Sequence, residues 1–320
     1  MKIVQPLVSI ICLCHNHAPF VLECLESVVN QTYGNIQLIV VDDASADESV
    51  SKIQQFLKGK PETPFLELKE NVGNCRAFNL GLELAEGKYV VDLATDDILF
   101  PSRIEKQVEL FEQLPEDFGV IYSDAELIDS EGNKIRTYHK RDGNGLIVRA
   151  PPSGNIYKEL VGLGFICTPT MLIRKGVFDE MNGYDESLSY EDYDFWVRSG
   201  RNWKYMFQNE ILTKKRVLPN SLGTKFYQRG RNEHLKSTLK ICRKAQKLNQ
   251  SNQENESLAV SVRYYLRQSV WMENFPLAKQ FYSLLQEIDK LGWRDKFLNR
   301  LIKKELRLNR LYGFYLRLRR

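Results

Sequence analysis

The first hundred residues alternate between short apolar runs and segments whose apolar residues recur at helical spacing. Four apolar runs predict strands: Val8–Leu13, Leu38–Val41, Phe65–Leu68 and Tyr89–Leu93. The segments between them predict helices: 19–30, 45–57 and 74–85. Strands that alternate with helices in this way predict an α/β fold with a doubly wound, mostly parallel mixed sheet. Ligands bind such sheets at the carboxyl ends of the strands.

The rest of the chain divides into a mixed middle and a helical end. Further elements are predicted there: strands at Val120–Tyr122 and Thr170–Arg174, a polar loop at 136–152, and helices at 191–201, 232–248 and 257–290, with a polar linker at 249–256. Strand signals stop at about residue 225. We therefore expect a catalytic domain over 1–225 and a helical C-terminal region over 226–320.

Charge separates the same two parts of the chain. The net charge is +4, but residues 226–320 contain 21 Lys and Arg against 8 Asp and Glu, whereas 1–225 contains 24 against 33. A basic segment favours anionic partners such as membrane lipid or a phosphate-bearing substrate. The alternative is a solvated helical surface. We expect no nucleic-acid partner, and the sequence leaves the oligomeric state open.

The last thirty residues combine this charge with an amphipathic pattern. Residues 291–320 contain 10 Lys and Arg against 2 Asp and Glu, and Leu298, Ile302 and Leu306 recur at helical spacing. Aromatic residues suited to a lipid interface are interleaved: Trp293, Phe297, Tyr312, Phe314 and Tyr315. The pattern predicts peripheral membrane contact through 291–320. The alternative is that this face packs on the catalytic domain or on a second subunit.

The six cysteines are scattered through mostly apolar runs, without the spacing of a disulfide framework or a zinc site. Reduced thiols predict a cytoplasmic location, at the inner face of the membrane if the tail docks there. We recognise no signal peptide in the sequence, and no apolar run approaches the roughly 20 residues of a membrane span.

An acidic pair follows the second predicted strand. A carboxylate of Asp42 or Asp43 at this position suits a nucleobase or ribose contact. The turn after the first strand, 14–20, lacks glycine, which argues against a pyrophosphate cradled on the first helix. The alternative is a structural one, an Asp-Ser cap of the next helix.

A second acidic pair, Asp96 and Asp97, follows the fourth predicted strand. Adjacent carboxylates repel each other, and a hard cation such as Mg²⁺ or Mn²⁺ compensates them with oxygen ligands, waters and diphosphate oxygens. An exposed turn is the alternative. Glu191 and Asp192 open a predicted helix, where acidic residues are common. Their catalytic interpretation is a general base that removes a proton from an attacking hydroxyl.

Taken together, the motifs resemble family 2 of the inverting glycosyltransferases, which have a GT-A type fold. The matching runs keep the family's order over residues 7–225: Val8–Ile11, Glu26–Tyr33, Val40–Ser45, Asn71–Gly81, Ala85–Tyr89, Thr95–Pro101, Thr168–Arg174, Gly183–Ser187 and Glu191–Trp196. Two positions depart from the family pattern. Ala94 stands where an Asp often precedes the metal pair, and Leu218 stands where a late His is common.

The resemblance implies a role for each candidate residue. It implies that Asp43, with Asp42 beside it, contacts the donor base, and that the ring of His15 lies near that base. Asp96 would belong to the ribose and diphosphate region, and Asp97 would bind the metal. Arg76 would lie near the donor. Asp192 would be the catalytic base, with Glu191 as the neighbouring carboxylate.

The function expected from this resemblance is metal-dependent, inverting transfer of a sugar from a nucleoside-diphosphate donor. A UDP-sugar is the expected donor, and a hexosyl or N-acetylhexosaminyl group the expected cargo. The acceptor would be a hydroxyl of a saccharide or lipid-linked acceptor in cell-surface polysaccharide synthesis. The alternative is a non-catalytic nucleotide-sugar sensor or scaffold with the same fold.

Overall fold

The computed structural model describes residues 5–162, 164–218 and 232–306. These residues divide into two compact units. The first contains the chain up to Ile156 together with 165–186 and 202–218. The second contains 157–164, 187–201 and the helices from residue 232 onward. The boundary expected near residue 225 lies outside the described residues.

A mixed sheet forms the centre of the first unit. Its strands are β1 (Val8–Cys14), β2 (Ile36–Asp42), β3 (Phe65–Glu67), β4 (Tyr89–Ala94), β5 (Ile98–Leu99), β6 (Phe118–Ile128), β7 (Lys134–Thr137), β8 (Leu172–Arg174) and β9 (Lys204–Arg216). Their order is β3-β2-β1-β4-β8-β6-β9-β5, with β7 paired to β6. The first four are mutually parallel, and β6 and β9 are also parallel, while β8 and β5 run antiparallel to their neighbours.

The helices, in chain order, are α1 (Val21–Val29), α2 (Ser49–Phe56), α3 (Asn74–Leu82), α4 (Arg103–Phe111), α5 (Tyr157–Leu160), α6 (Lys175–Met181), α7 (Glu191–Ser199), α8 (Glu233–Leu248), α9 (Asn252–Trp271), α10 (Phe275–Ile288) and α11 (Trp293–Lys303). A 3₁₀ turn spans Thr168–Thr170. The alternation of strands and helices in the first hundred residues, and hence the predicted α/β class, is confirmed.

The parallel register brings three strand ends to one edge of the sheet. Cys14 pairs with Asp42, and Leu13 pairs with Ala94, so β1, β2 and β4 finish side by side. Every side chain of β1 is buried, since helices cover both faces of a doubly wound sheet. The loops that leave these aligned ends carry both acidic pairs.

Two predicted boundaries are wrong for local reasons. The helix expected over 45–57 begins only at Ser49, because the side chain of Asp47 accepts from the backbone N–H of Ser49 (2.9 Å) and of Ala18 (3.0 Å) and so belongs to the preceding loop. The linker expected over 249–256 already contains the start of α9. Its polar residues serve as a helix start, with Ser251 as the N-cap.

The helix expected over 257–290 is two helices. The chain turns at Glu273, where φ is +56°, and α10 then starts behind Asn274, whose side chain accepts from the N–H of Leu277. Strand β9 was not predicted at all, because its partly buried residues lack a clear alternation. The loop expected over 136–152 is largely exposed, although its first two residues complete β7.

The second unit is built around α7, α8, α9 and α10. The hydroxyl of Tyr157 donates to the side-chain oxygen of Asn249 (2.8 Å), and Arg201 forms an ion pair with Glu254 (3.1 Å), so both chain segments that enter this unit from the middle of the sequence are bonded to its C-terminal helices. All six cysteines are buried free thiols. Within the described part of the chain, no helix has the length and apolar character needed to cross a bilayer.

Candidate active site

Asp42 organises the loop that leaves β2. Its two carboxylate oxygens accept from the backbone N–H of Ser45 (2.8 Å) and from the Ser45 hydroxyl (2.6 Å). The hydroxyl of Ser45 in turn accepts from the backbone N–H of Asn16 at 2.8 Å. Ala44, which directly precedes Ser45, has a φ of +55°. The side chain of Asp42 is fully buried, so its direct role in the structure is to hold the loops after β1 and β2 together.

Asp43 holds a third loop, the one that leads into α3. Its two carboxylate oxygens accept the backbone N–H groups of Val72 (2.7 Å) and Gly73 (3.0 Å). Gly73 adopts a φ of +86°, a conformation that a residue with a Cβ rarely takes, and directly precedes the helix. The carboxylate therefore fixes a tight turn at the same edge of the sheet.

The His15 ring lies exposed beside this turn. Its Nδ1 donates to the backbone carbonyl of Asp43 at 2.8 Å, since a carbonyl can only accept, and its Nε2 lies 3.0 Å from the amide nitrogen of Asn16. The amide of Asn71 also donates to the Asp43 carbonyl, at 3.3 Å. The structure thus brings His15, Asp42 and Asp43 together and adds Asn71, to which the sequence pattern assigns no role.

A second imidazole links the first loop to the acidic turn after β4. The Nδ1 atom of His17 lies 2.9 Å from the hydroxyl of Thr95, and the His17 backbone N–H donates to the Ser49 hydroxyl at 3.0 Å. Thr95 directly precedes Asp96. The two sets of loops at this edge are consequently connected by hydrogen bonds.

Asp97 is the buried member of the acidic pair, with 4% of its surface exposed, whereas Asp96 is half-buried. Burial, followed by the neighbouring charge of Asp96, raises the pKa of Asp97 to about 8, and Lys215 and Arg216 act in the opposite direction. The free carboxylate is therefore held in surroundings that disfavour its charge. A bound cation reverses that balance.

Arg216, at the end of β9, fixes the acidic turn in place. Its backbone N–H donates to Oδ1 of Asp97 (2.8 Å), and its guanidinium Nε donates to the backbone carbonyl of Asp96 (3.0 Å). The other guanidinium nitrogens donate to the carbonyls of Asp129 and Ser130 and to the Glu23 carboxylate. The side chain is only 2% exposed, so its charge is committed to protein acceptors.

The acidic pair can be tested against the expected Mg²⁺ or Mn²⁺. The described residues contain no cluster of three or more His, Cys, Asp or Glu side chains able to hold a metal by themselves. Mg²⁺, however, is commonly bound by one or two carboxylates, with waters and substrate phosphates as the remaining ligands. Asp97, a buried carboxylate that lacks sufficient compensating charge, fits that arrangement with Asp96 beside it.

Arg76 lies in the first turn of α3, close behind the Asp43 turn. Its Nε is 4.0 Å from Oε2 of Glu186, and the side chain is 57% exposed. A long, exposed contact of this kind contributes little to stability. Arg76 therefore remains accessible at the site.

Glu191 and Asp192 belong to the second unit, in the first turn of α7. Glu191 is buried and Asp192 half-buried. A third acid of this turn, Asp194, is buried and forms ion pairs with Arg198 (2.6 Å) and Lys244 (2.7 Å). Asp194 is thus fully occupied within its own unit and serves a structural role.

Comparison with protein families shows which family the chain belongs to. The model described as "Glycosyl transferase family 2" matches residues 9–181, more than half of the chain. The chain belongs to glycosyl transferase family 2. The resemblance drawn from the motifs is therefore confirmed.

Proteins of related sequence show how far the similarity extends. An uncharacterized glycosyltransferase of Rickettsia prowazekii is 31% identical over 224 residues, which are 68% of this chain and 65% of that protein. One of Rickettsia conorii is 34% identical over 219 residues, which are 68% of this chain but 35% of that protein. The matched region thus spans between about a third and two thirds of these relatives.

Solved structures confirm the GT-A type fold. Staphylococcus aureus TarS in complex with UDP-GlcNAc has a TM-score of 0.66 at 15% identity, covering 93% of this chain and 88% of that one. The mannosyltransferase PcManGT of Pyrobaculum calidifontis, in complex with GDP-Man and Mn²⁺, has a TM-score of 0.59 at 14% identity, covering 97% and 84%. At such identities the similarity establishes the fold of this family 2 protein.

Proposed function

We propose that this family 2 protein transfers a hexosyl or N-acetylhexosaminyl group from a UDP-sugar to a hydroxyl of a saccharide or lipid-linked acceptor, in cell-surface polysaccharide synthesis. The observation that supports it most directly is the alignment of β1, β2 and β4. Their adjacent ends bring the Asp43 turn and the Asp96–Asp97 turn to one edge of the sheet. UDP-GlcNAc and GDP-Man with Mn²⁺, bound in two proteins of the same fold, support a nucleotide-sugar donor.

The loops after β1 and β2 would bind the nucleoside. The exposed ring of His15 suits stacking on a base, because every base offers a π-face to an aromatic side chain. The carboxylate of Asp43 already accepts two backbone N–H groups, and each carboxylate oxygen has a second acceptor position for a base or ribose donor. Asp42 would act from behind by fixing the loop, and Arg76 would lie towards the donor phosphates.

Asp97, together with Asp96 beside it, would hold Mg²⁺ or Mn²⁺. When bound, the cation supplies Lewis-acid neutralisation of the charge that develops on the departing nucleoside diphosphate. The chain's own contribution is positional, since Arg216 holds the Asp97 carboxylate by its backbone N–H and the turn by its guanidinium.

Asp192 would accept the proton of the acceptor hydroxyl as that oxygen attacks the anomeric carbon. Attack from the face opposite the leaving diphosphate inverts the configuration and requires no covalent enzyme intermediate. Asp194 is unsuited to this role because Arg198 and Lys244 neutralise it. The neighbouring Glu191 is the matched carboxylate against which Asp192 can be tested.

The decisive experiment couples donor binding to transfer. A panel of nucleotide sugars with Mn²⁺ is screened by thermal shift, because a ligand that binds only the folded state raises its apparent stability. The donor that stabilises the protein is then supplied with saccharide and lipid-linked acceptors, and release of nucleoside diphosphate is followed. Metal-dependent release that requires an acceptor is the expected result. Binding without release or transfer, on a full acceptor panel, would support the sensor or scaffold instead.

A further inference from the structure

Helix α11, in the second unit, has one buried face and one exposed face. One face carries Asp295 and Ile302, which are 5% and 0% exposed. The other carries Trp293 and Phe297, which are 74% and 52% exposed. Residues four apart lie above one another on a helix, so the two aromatic rings form one outward patch.

The buried face is anchored by charge as well as by packing. Asp295 accepts from the backbone N–H of Gly292 (2.9 Å) and from Nε of Arg263 (3.2 Å), and Arg263 also forms an ion pair with Asp289 (2.8 Å). These bonds tie the start of α11 to α9 and to the end of α10. The outward patch is therefore held in a fixed orientation before any partner binds.

The exposed charges of α11 itself have one sign, and the acid that follows the helix, Glu305, is paired with Lys279 at 3.3 Å. Between residues 293 and 304 the basic side chains are all exposed: Arg294, Lys296, Arg300, Lys303 and Lys304. The single acid in this stretch is the buried Asp295. The chain that follows, 307–320, lies outside the described residues. It adds five Arg and no acid to the sequence.

We propose that this outward face of α11 docks on an anionic lipid bilayer, with Trp293 and Phe297 inserted at the level of the headgroups. Aromatic side chains suit that interface, and basic residues around them are attracted to anionic headgroups. Duplex nucleic acid shares the charge complementarity, but its bases are stacked in the interior and leave no apolar layer for two neighbouring exposed rings. The inference refines the expected membrane contact: Ile302, assigned to the apolar track of the sequence pattern, packs inward, and the aromatic pair faces outward.

The test uses the full chain and vesicles containing about 30% phosphatidylglycerol in phosphatidylcholine, an anionic surface of the kind that attracts polybasic segments. We expect co-sedimentation at low salt, release as the salt rises, and no binding to pure phosphatidylcholine. Removing both rings, in Trp293→Ala with Phe297→Ala, is expected to lower partitioning at least about tenfold, since both apolar anchors are lost. Val260→Ala, which removes an exposed apolar residue of α9, is the matched control and should bind as the wild type does.

Two double variants test the electrostatic contribution to vesicle binding. Arg300→Gln with Lys304→Gln should weaken partitioning about fivefold for each charge removed. Lys240→Gln with Lys247→Gln, two exposed positions on α8 of the same unit, has the same net charge and should have a much smaller effect. Circular dichroism must show that every variant is folded. Equal loss in both charge pairs, an unchanged aromatic double variant, or binding to nucleic acid in preference to vesicles would each overturn the proposal, as would a dimer that dissociates when the rings are removed.

Discussion

Asp97→Asn should make the metal-free protein more stable at alkaline pH. In the folded protein, burial and the charge of Asp96 raise the pKa of Asp97 from 3.8 to about 8. Between these two pH values the folded chain keeps a proton that the unfolded chain releases, so the stability of the wild type falls as the pH rises through this window. The variant is neutral throughout and avoids this loss. Its amide oxygen can still accept the N–H of Arg216.

The upper bound on the stability that Asp97→Asn gains at alkaline pH follows from the two pKa values. At about 1.36 kcal/mol for each pKa unit, the difference between 3.8 and about 8 corresponds to about 6 kcal/mol. Local relaxation and water entry reduce such penalties, so we expect a gain of about 2 kcal/mol at pH 9. That gain raises the melting temperature by about 4–8 °C for a unit of this size. It should shrink steadily as the pH approaches 4.

The assay is thermal unfolding from pH 4 to pH 9 in excess chelator, with Asp124→Asn as the matched control. Asp124 is also buried, but Arg141 donates to its carboxylate at 2.8 Å, so its substitution leaves a cation unpaired and should cost about 3 kcal/mol. Mn²⁺ with a nucleoside diphosphate should stabilise the wild type alone and so make it more stable than Asp97→Asn. An Asp97→Asn variant that is less stable than the wild type at pH 9 in chelator would refute the reasoning.

Three further outcomes test the site and the second unit. Asp192→Asn should bind the donor normally and transfer at least about a hundredfold more slowly, with Glu191→Gln close to wild type; the reverse result in single-turnover assays would move the base to Glu191. Arg216→Gln removes donors from four acceptors and should lower the free energy of unfolding by about 2–4 kcal/mol in urea titrations, and it should weaken Mn²⁺-dependent nucleotide binding. If Arg216→Gln is destabilised but keeps its affinity for Mn²⁺, the hydrogen bonds of Arg216 do not support metal binding. Trp293→Ala should leave the melting temperature within about 1 °C, because surface substitutions change stability little.

The fold was predictable where the chain is buried most uniformly. β1 is buried along its whole length and β2 from Leu38 onward, because neighbouring strands and helices cover them, and the apolar runs in the sequence show that burial. β9 is half-buried and contains several charged residues, so its strand character depends on its pairing with β6 and β5. Local pattern contains no information about such partners.

The site, like the fold, could be predicted only in part. The position of Asp43 and Asp97 after strands could be predicted, because strand ends follow from the hydrophobic pattern. Their surroundings could not: the N–H groups that bind Asp43 lie 29 and 30 residues away, and Arg216 lies 119 residues from Asp97. The motif resemblance predicts a chemical role for the pair, but only the folded chain shows that Arg216, at the end of β9, uses its hydrogen-bond donors to hold the acidic turn.

The composition of the second unit has a consequence for how the protein is made. α7 is synthesised before the C-terminal helices, and Lys244, which with Arg198 neutralises its buried Asp194, follows that residue by 50 positions. At translation rates of about 5–20 residues per second, that delay is roughly 3–10 s. During this interval Phe195 and Trp196, both buried in the finished protein, have no C-terminal helices to cover them. The nascent chain therefore keeps a short aromatic segment uncovered until the C-terminal helices of its unit have been made.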